Sequence, residues 1–310
     1  MQLRMFQVDV FAGRTFGGNP AAVVLLEDDW LPDDVLQAVA AENNLAETAF
    51  VAPAGTGVTG TELGWGLRWF TPTTEVELCG HATLAAGYVV LRHLVPGATT
   101  VSFATRWAGR LEVFWKDPLH LAVALPLHEP GPAASAEVAG AVAHALGARP
   151  TEVVQAPATI ARFDSADEVA ALSPDFRAVA ALETPWVVAT AKGPGGFMEA
   201  DWVCRYFAPG SGIDEDHATG SAQTYLAPYW WPQLDSIHWH GADVEQLSPR
   251  GGFMKVQITS TSSGPVVLLT GAVADYLDGT ITFPLPGDTP VPVVGWDEQS
   301  GAGTGPPDNG

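Results

Sequence analysis

One glutamate stands at the head of an apolar segment, where a charged side chain is costly to bury unless it is paired or functional. Glu47 lies in the run LAETAFV, residues 45–51. A carboxylate in this setting suits general acid–base chemistry, in which one side chain removes a proton from carbon and returns it elsewhere. The residue pattern alone leaves a second interpretation open, a solvent-exposed glutamate at the end of a strand.

Two more titratable side chains lie next to runs of small residues that are typical of helix starts. His81 follows Cys79 and Gly80, and Asp216 ends the acidic run Asp214-Glu215-Asp216. A helix N-terminus disfavours positive charge, so we expect a neutral imidazole at His81 that holds a substrate or donates to a developing oxygen. For His81, the alternative is a buried structural histidine. For Asp216, the alternative is a solvated loop acid, and that interpretation is favoured for Asp214.

A short motif occurs twice and indicates that the two halves of the chain are related. RWFTP begins at Arg68 and RYFAP begins at Arg205, and each arginine precedes a second cluster, at Cys79 or at Asp216, by eleven positions. Duplicated halves that face each other would bring two helix N-termini, with their unpaired N–H groups, to one cleft. Such a cleft can hold a carboxylate and stabilise negative charge in a transition state.

Small residues in both clusters fit a clamp for that carboxylate. Gly220 lets the backbone approach closely, and Ser221 adds a hydroxyl and an N–H group. Gly80 takes the partner role in the first half, and we also place Asn19 at the cleft. An ordinary helix N-cap is the alternative interpretation of Ser221.

Hydrophobic periodicity, helix-start signals and turn signals predict the strands and helices that position these residues. The pattern predicts strands over residues 3–11, 47–51, 67–71, 186–189 and 200–207, and antiparallel strands over 257–281. It predicts helices over 31–44, 79–91, 133–146, 166–182 and 221–230. The predicted organisation is an N-terminal lobe, 1–129, a C-terminal lobe, 130–284, and a Pro/Gly-rich tail, 285–310.

Composition excludes several classes of partner and location. The 310 residues carry 35 acidic and 14 basic side chains, and the formal net charge of −21 disfavours nucleic acid and anionic membranes as partners. No apolar run is long enough to span a bilayer, and the N-terminus lacks signal-peptide features. Two distant cysteines favour a reduced, cytoplasmic protein.

Motifs for metals, nucleotides and nucleophilic serine are weak or missing. Cys79-Gly80-His81 and the pair His238 and His240 come without clear third and fourth ligands, so we expect no metal. No glycine-rich dinucleotide or phosphate loop occurs, and the segment around Ser221 lacks the second glycine of a nucleophile elbow.

Four blocks in order resemble the PhzF-like phenazine-biosynthesis isomerase family. They cover residues 9–24, 41–51, 67–86 and 212–222, and the resemblance extends over about residues 1–284. It implies an α+β, diaminopimelate epimerase-like fold of two pseudo-symmetric lobes, each a curved, mainly antiparallel sheet or barrel around a central helix. It also implies an active site between the lobes, a homodimer, no cofactor, and a small-molecule carboxylate substrate.

The same resemblance assigns roles to three residues. Glu47 matches the family's proton-shuttling residue, His81 matches an active-site residue, and Asp216 matches a residue that supports proton transfer or binds a substrate amine. Two positions depart from the family pattern: Ala46 replaces a frequent serine, and His217 replaces the usual proline. These departures leave the substrate open.

The predicted function is therefore an isomerase that moves a proton and a double bond on a small cyclic unsaturated amino acid or carboxylate. The best-characterised family reaction isomerises trans-2,3-dihydro-3-hydroxyanthranilate, and other relatives act on intermediates such as alkylproline precursors of antibiotics. One alternative is an amino-acid epimerase or dehydratase that uses Cys79. Epimerases of this fold pair two cysteines, however, and here the second position holds Asp216. The other alternative to an isomerase is a non-catalytic ligand-binding relative.

Overall fold

The structure is a computed structural model that describes residues 1–53, 64–194, 199–234, 241–261 and 264–284. The predicted tail, 285–310, and the histidines at 238 and 240 lie outside the described residues. Among the described residues, no helix is both long and apolar enough to cross a membrane.

The first half of the chain forms eight strands and two α-helices. The strands are β1 Gln2–Val10, β2 Asn19–Leu25, β3 Glu47–Pro53, β4 Gly64–Phe70, β5 Glu75–Val76, β6 Thr100–Thr105, β7 Arg110–Trp115 and β8 His120–Pro126. The helices are α1 Asp33–Asn43 and α2 Gly80–Val89, and a π-helical turn, Val90–Leu94, extends α2.

The described residues of the second half also form eight strands, and they form four α-helices instead of two. Its strands are β9 Glu152–Val154, β10 Thr159–Arg162, β11 Val187–Lys192, β12 Trp202–Ala208, β13 Ile213–Asp216, β14 Ala242–Gln246, β15 Gly252–Thr261 and β16 Gly264–Thr282. Its helices are α3 Ala136–Leu146, α4 Ala166–Ala170, α5 Phe176–Ala180 and α6 Gln223–Trp230.

A closed barrel of eight strands makes the first lobe. The strand order is β1-β2-β3-β4-β6-β7-β8-β16, and β16 pairs with β1 to close the ring. Only the β2–β3 and β4–β6 pairs in this ring are parallel. Helix α2 runs inside the barrel with every residue buried, because its side chains are small or apolar. A Cβ at Gly87 would collide with Val113 of the barrel wall, so glycine permits the close packing.

The second lobe repeats the strand connections of the first in an open sheet, β16-β15-β14-β12-β11-β10-β9. The β10–β11 and β12–β14 pairs are parallel and correspond to β2–β3 and β4–β6. Helix α6 lies between β13 and β14 in the chain, as α2 lies between β5 and β6, and seven of its eight residues are buried. These repeated pairings confirm the predicted fold class of two pseudo-symmetric lobes, each built around a central helix.

Strand β16 belongs to both sheets. Residues 264–270 pair with β15 of the second lobe, while residues 266–272 pair with β8 and residues 273–282 with β1 of the first. The last described strand of the chain therefore completes the barrel of the first lobe. The division of the chain at residues 129 and 130 stays a prediction.

One predicted helix differs from the structure in a way that the sequence explains. The segment 166–182 forms two short helices, α4 and α5, with Pro174 between them. Proline disfavours helical backbone in the residue before it, so α4 ends early. Asp175 then caps the second helix, because its side chain accepts hydrogen bonds from the N–H groups of Arg177 and Ala178.

Candidate active site

Glu47 lies where strand β3 begins. Side chains alternate along a strand, and Ala49 and Val51 belong to the core inside the barrel, so Glu47 shares their inward face. Its side chain is 15% exposed, and its Oε2 atom is 3.2 Å from Nε2 of His81. The structure thus places Glu47 inside the end of the barrel, in contact with the start of α2.

His81 is the second residue of α2 and is buried. Its Nδ1 atom lies 3.2 Å from Nδ2 of Asn19 and 3.5 Å from Sγ of Cys79. The Nε2–Oε2 contact with Glu47 is an ion pair without the directionality of a hydrogen bond, and neither atom has another partner among the described residues. Both atoms remain able to interact with a ligand.

The predicted lowering of the His81 pKa is wrong. Burial alone lowers the pKa of this imidazole, but Cys79 and the carboxylate of Glu47 outweigh burial, and the pKa is raised well above its ordinary value. Burial and the same carboxylate raise the pKa of the Cys79 thiol.

Asp216 connects the two lobes through Asn19. The amide Nδ2 of Asn19 donates to Oδ1 of Asp216 at 2.7 Å and to the carbonyl oxygen of Ala218 at 3.0 Å. The Oγ1 atom of Thr219 donates to Oδ2 of Asp216 at 2.6 Å. Both carboxylate oxygens of this buried residue already accept hydrogen bonds, so Asp216 orients Asn19 and the loop before α6.

Gly80, Gly220 and Ser221 meet where the two central helices begin. A Cβ at Gly80 would lie 3.4 Å from the backbone nitrogen of Ser221 and 3.5 Å from the carbonyl carbon of Gly220. A Cβ at Gly220 would collide with Leu269 and crowd Phe11. Small residues at these positions therefore let the two helix starts touch, and the N–H groups there lack partners within their own helices.

The alternative interpretation of Ser221 as an N-cap is wrong. Helix α6 begins at Gln223 with Ala222 as its N-cap, and no side chain caps it. The preceding residues form a tight turn, in which the N–H groups of Gln223 and Thr224 donate to the carbonyl oxygens of Gly220 and Ser221.

Two groups of supporting residues carried no recognisable sequence signal. Gln246 donates from Nε2 to the carbonyl oxygen of Asp216 at 2.7 Å and accepts from the N–H of Thr219 at 2.8 Å. Arg250 donates to Oδ1 of Asp9 at 2.7 Å and to the carbonyl oxygen of Gly18, the residue before Asn19. These contacts join positions that are far apart in the chain, so only the fold reveals them.

His217, the departure from the family pattern, lies beside Asp216. Burial lowers the pKa of this half-buried imidazole, and the positive charges of Arg250 and His81 act in the same direction. Its Nδ1 atom is buried with no hydrogen-bond partner among the described residues. His217 thus combines a lowered pKa with a ring nitrogen that has no hydrogen-bond partner among the described residues.

The family model of the phenazine biosynthesis-like proteins matches residues 8–279 of this chain. The chain belongs to the phenazine biosynthesis-like family. A relative named as an uncharacterized isomerase of Pseudomonas aeruginosa is 40% identical over 281 residues, which cover 91% of this chain and 99% of the relative. The phenazine biosynthesis-like domain-containing protein of Bos taurus is 36% identical and covers 91% of this chain and 100% of its own length.

Solved structures agree with this membership. A PhzF-family protein of Enterococcus faecalis superposes with a TM-score of 0.78 at 33% identity, covering 91% of this chain and 100% of that one. A hydroxyproline epimerase of Agrobacterium vitis, with trans-4-hydroxy-L-proline bound, superposes with a TM-score of 0.57 at 11% identity, covering 90% and 92%. The epimerase shares the fold with this phenazine biosynthesis-like protein, and its low identity supports no further likeness.

Proposed function

We propose that the protein is a cofactor-independent isomerase in which Glu47 moves a proton on a small unsaturated amino acid or carboxylate. The observation that carries this proposal is the carboxylate of Glu47, 3.2 Å from the buried imidazole of His81 at the junction of the lobes. Relatives named as isomerases support the reaction type. The substrate and the chemical steps below belong to the proposal.

The substrate carboxylate binds at the two helix starts, where Gly80, Gly220 and Ser221 offer backbone N–H groups and one hydroxyl. Glu47 removes a proton alpha or vinylogous to that carboxylate. His81, whose pKa is raised, supplies positive charge and a donor while negative charge develops. Glu47 then returns the proton to another carbon on the same face, and Asp216 keeps Asn19 in place through a 2.7 Å hydrogen bond.

Isomerisation in D₂O tests this reaction. The first candidate substrate is trans-2,3-dihydro-3-hydroxyanthranilate, followed by a panel of cyclic unsaturated amino acids. We expect the wild-type protein to convert one of them with deuterium at the reprotonated carbon, and Glu47→Gln to lose both conversion and label. Full conversion by Glu47→Gln would reject the role of Glu47.

An epimerase or dehydratase that uses Cys79 is the second candidate, because the Sγ atom lies 3.5 Å from Nδ1 of His81. Cys79→Ser separates the two functions. The isomerase proposal expects turnover to persist in this variant, whereas a thiol acid–base mechanism requires its loss. The matched control is Cys204→Ser at the other buried thiol, which contacts Gln246 and Gln223 instead.

We also propose a homodimer, on the family resemblance alone. Light scattering coupled to size-exclusion chromatography measures the mass directly. A mass of one chain, 32.5 kDa, at micromolar concentration would contradict the proposal.

A further inference from the structure

Three side chains with different donor atoms converge at the start of α2. One ligand atom from each of Glu47, Cys79 and His81 lies within 4.8 Å of the others. The sequence offered only Cys79 and His81, two residues apart, and this pair alone was too small a set for a metal. Strand β3 brings the third donor, Glu47, from more than thirty positions upstream.

The cluster contains donor atoms whose one contact among the described residues is with each other, an ion pair of 3.2 Å between Nε2 of His81 and Oε2 of Glu47. Oε2 of Glu47 and Nε2 of His81 are buried and have no hydrogen-bond partner among the described residues. His81 is 3% exposed and Cys79 is 5% exposed, so water has little access to these side chains. Asp216 is not part of the set, because both of its oxygens accept hydrogen bonds from Asn19 and Thr219.

From these contacts we propose that Glu47, Cys79 and His81 bind one soft divalent cation such as Zn²⁺, with a fourth position open. One sulfur, one imidazole nitrogen and one carboxylate oxygen form a donor set that suits Zn²⁺ and Co²⁺, whereas Mg²⁺ prefers oxygen ligands. In tetrahedral geometry, bond lengths of about 2.3 Å to sulfur and about 2.1 Å to nitrogen place those two ligand atoms about 3.6 Å apart. Metal binding would therefore draw the three side chains together from separations of up to 4.8 Å.

Such a cation would inhibit the proposed reaction. It would occupy the carboxylate oxygen that the proton transfer requires and would remove the imidazolium of His81. The binding itself is independent of the proposed function, since it is tested with metal alone on the full-length protein.

Calorimetric titration of the metal-free protein with Zn²⁺ tests the site. We expect one Zn²⁺ per chain, no binding of Mg²⁺, and affinity lower by about 100-fold or more in Cys79→Ser, because even indirect support of a metal ligand is worth about 10–100-fold. Cys204→Ser, which changes the other buried thiol, keeps the wild-type affinity. No stoichiometric Zn²⁺ binding, or equal affinity in Cys79→Ser, would overturn the proposal.

Cobalt gives a second readout that does not depend on the stability of one variant. Co²⁺ bound through Cys79 produces a thiolate-to-cobalt charge-transfer absorption in the wild-type protein and in Cys204→Ser. Glu47→Gln weakens Co²⁺ binding but keeps this absorption at saturation, because the sulfur ligand remains. A cobalt complex of the wild-type protein without the charge-transfer band would show that Cys79 is not a ligand.

Discussion

At the scale of single residues, the site depends on the electrostatic pair of Glu47 and His81. The carboxylate and the imidazole come from different elements, β3 and α2, and their atoms approach to 3.2 Å. The pKa of His81 is raised although burial opposes its charge. An opposite charge at this distance favours the charged form of the imidazole.

Cys79 and the charge of Glu47 both hold the pKa of His81 up, so Glu47→Gln is expected to lower it. An NMR titration of the His81 ring measures this pKa directly in both proteins. Glu47→Asp, which keeps the charge, is expected to preserve most of the elevation. An unchanged pKa in Glu47→Gln would contradict the proposed pairing.

The same pair predicts how stability depends on pH. A raised folded-state pKa stabilises the protein fully below the unfolded-state pKa of about 6.5, and this contribution is lost as the pH rises through the folded-state pKa of His81. The stability difference between wild type and Glu47→Gln is therefore expected to be largest below about pH 6.5 and to shrink at higher pH. Urea unfolding at several pH values measures it, and a difference that grows with pH would contradict this sign.

Gly220→Ala tests how tightly the turn before α6 packs against the barrel. The new Cβ collides with Leu269 and crowds Phe11, and overpacking of this kind costs about 1–3 kcal/mol of stability. Gly140→Ala is the matched control, because its Cβ meets nothing within 4 Å in helix α3, and alanine there stabilises by up to about 1 kcal/mol. Equal denaturation midpoints for the two variants would show that Gly220 is not confined.

At the scale of elements, the repeated motif predicted two related halves. It did not predict which acidic residue each arginine of the motif contacts. The two arginines of the motif lie on equivalent strands, β4 and β12, and each holds a glutamate through two hydrogen bonds. Arg68 reaches Glu75, seven residues away, whereas Arg205 reaches Glu215, ten residues away. Equal spacing therefore predicted equivalent strands, but the acid that each arginine binds depends on the turn that follows.

Arg205 also links its strand to a helix end. Its Nη1 atom donates to the carbonyl oxygens of Val169, Ala170 and Leu172, at the end of α4. Arg205→Lys keeps the charge but cannot make the forked contact, so we expect a loss of about 1–3 kcal/mol in unfolding free energy. The control Arg4→Lys changes an exposed pair with Asp278 and is expected to cost less than about 1 kcal/mol. Similar losses in both variants would contradict the structural role of Arg205.

At the scale of the whole molecule, long-range contacts join the lobes around the site. Strand β16 pairs with both β15 and β1, and the buried Asp9 pairs with Arg250 from the other half of the chain. Asp9 also accepts a hydrogen bond from the N–H of Phe16, so it fixes the loop that leads to Asn19.

Asp9→Asn is expected to destabilise the folded protein by about 1.5–3 kcal/mol, because it removes the charge of a buried carboxylate that accepts a hydrogen bond from the guanidinium of Arg250. Chemical denaturation monitored by far-UV circular dichroism measures the loss. Asp243→Asn, which breaks the more exposed pair with Lys255, is the control and should cost less than about 1 kcal/mol. A loss for Asp9→Asn no larger than for Asp243→Asn would contradict the role of this link.

The sequence revealed the fold class and the residues with chemistry but not the contacts between distant segments. Periodicity and the repeat indicated strands β1, β3, β4, β11, β12, β15 and β16, the central helices and the small residues at their starts. The raised pKa of His81, the hydrogen bonds that occupy Asp216 and the third donor near Cys79 all depend on pairs brought together by the fold. No local pattern encodes such pairs, because they are set by strand order and register.

The central claim, that Glu47 carries the proton, is tested most directly by comparing turnover and binding in one variant. With a substrate identified from the panel, Glu47→Gln is expected to bind it within a few-fold of wild type, because the helix starts hold its carboxylate. Its turnover should fall by about 10²–10⁴-fold, the usual contribution of a general acid–base group. Turnover by Glu47→Gln within tenfold of wild type would contradict the account.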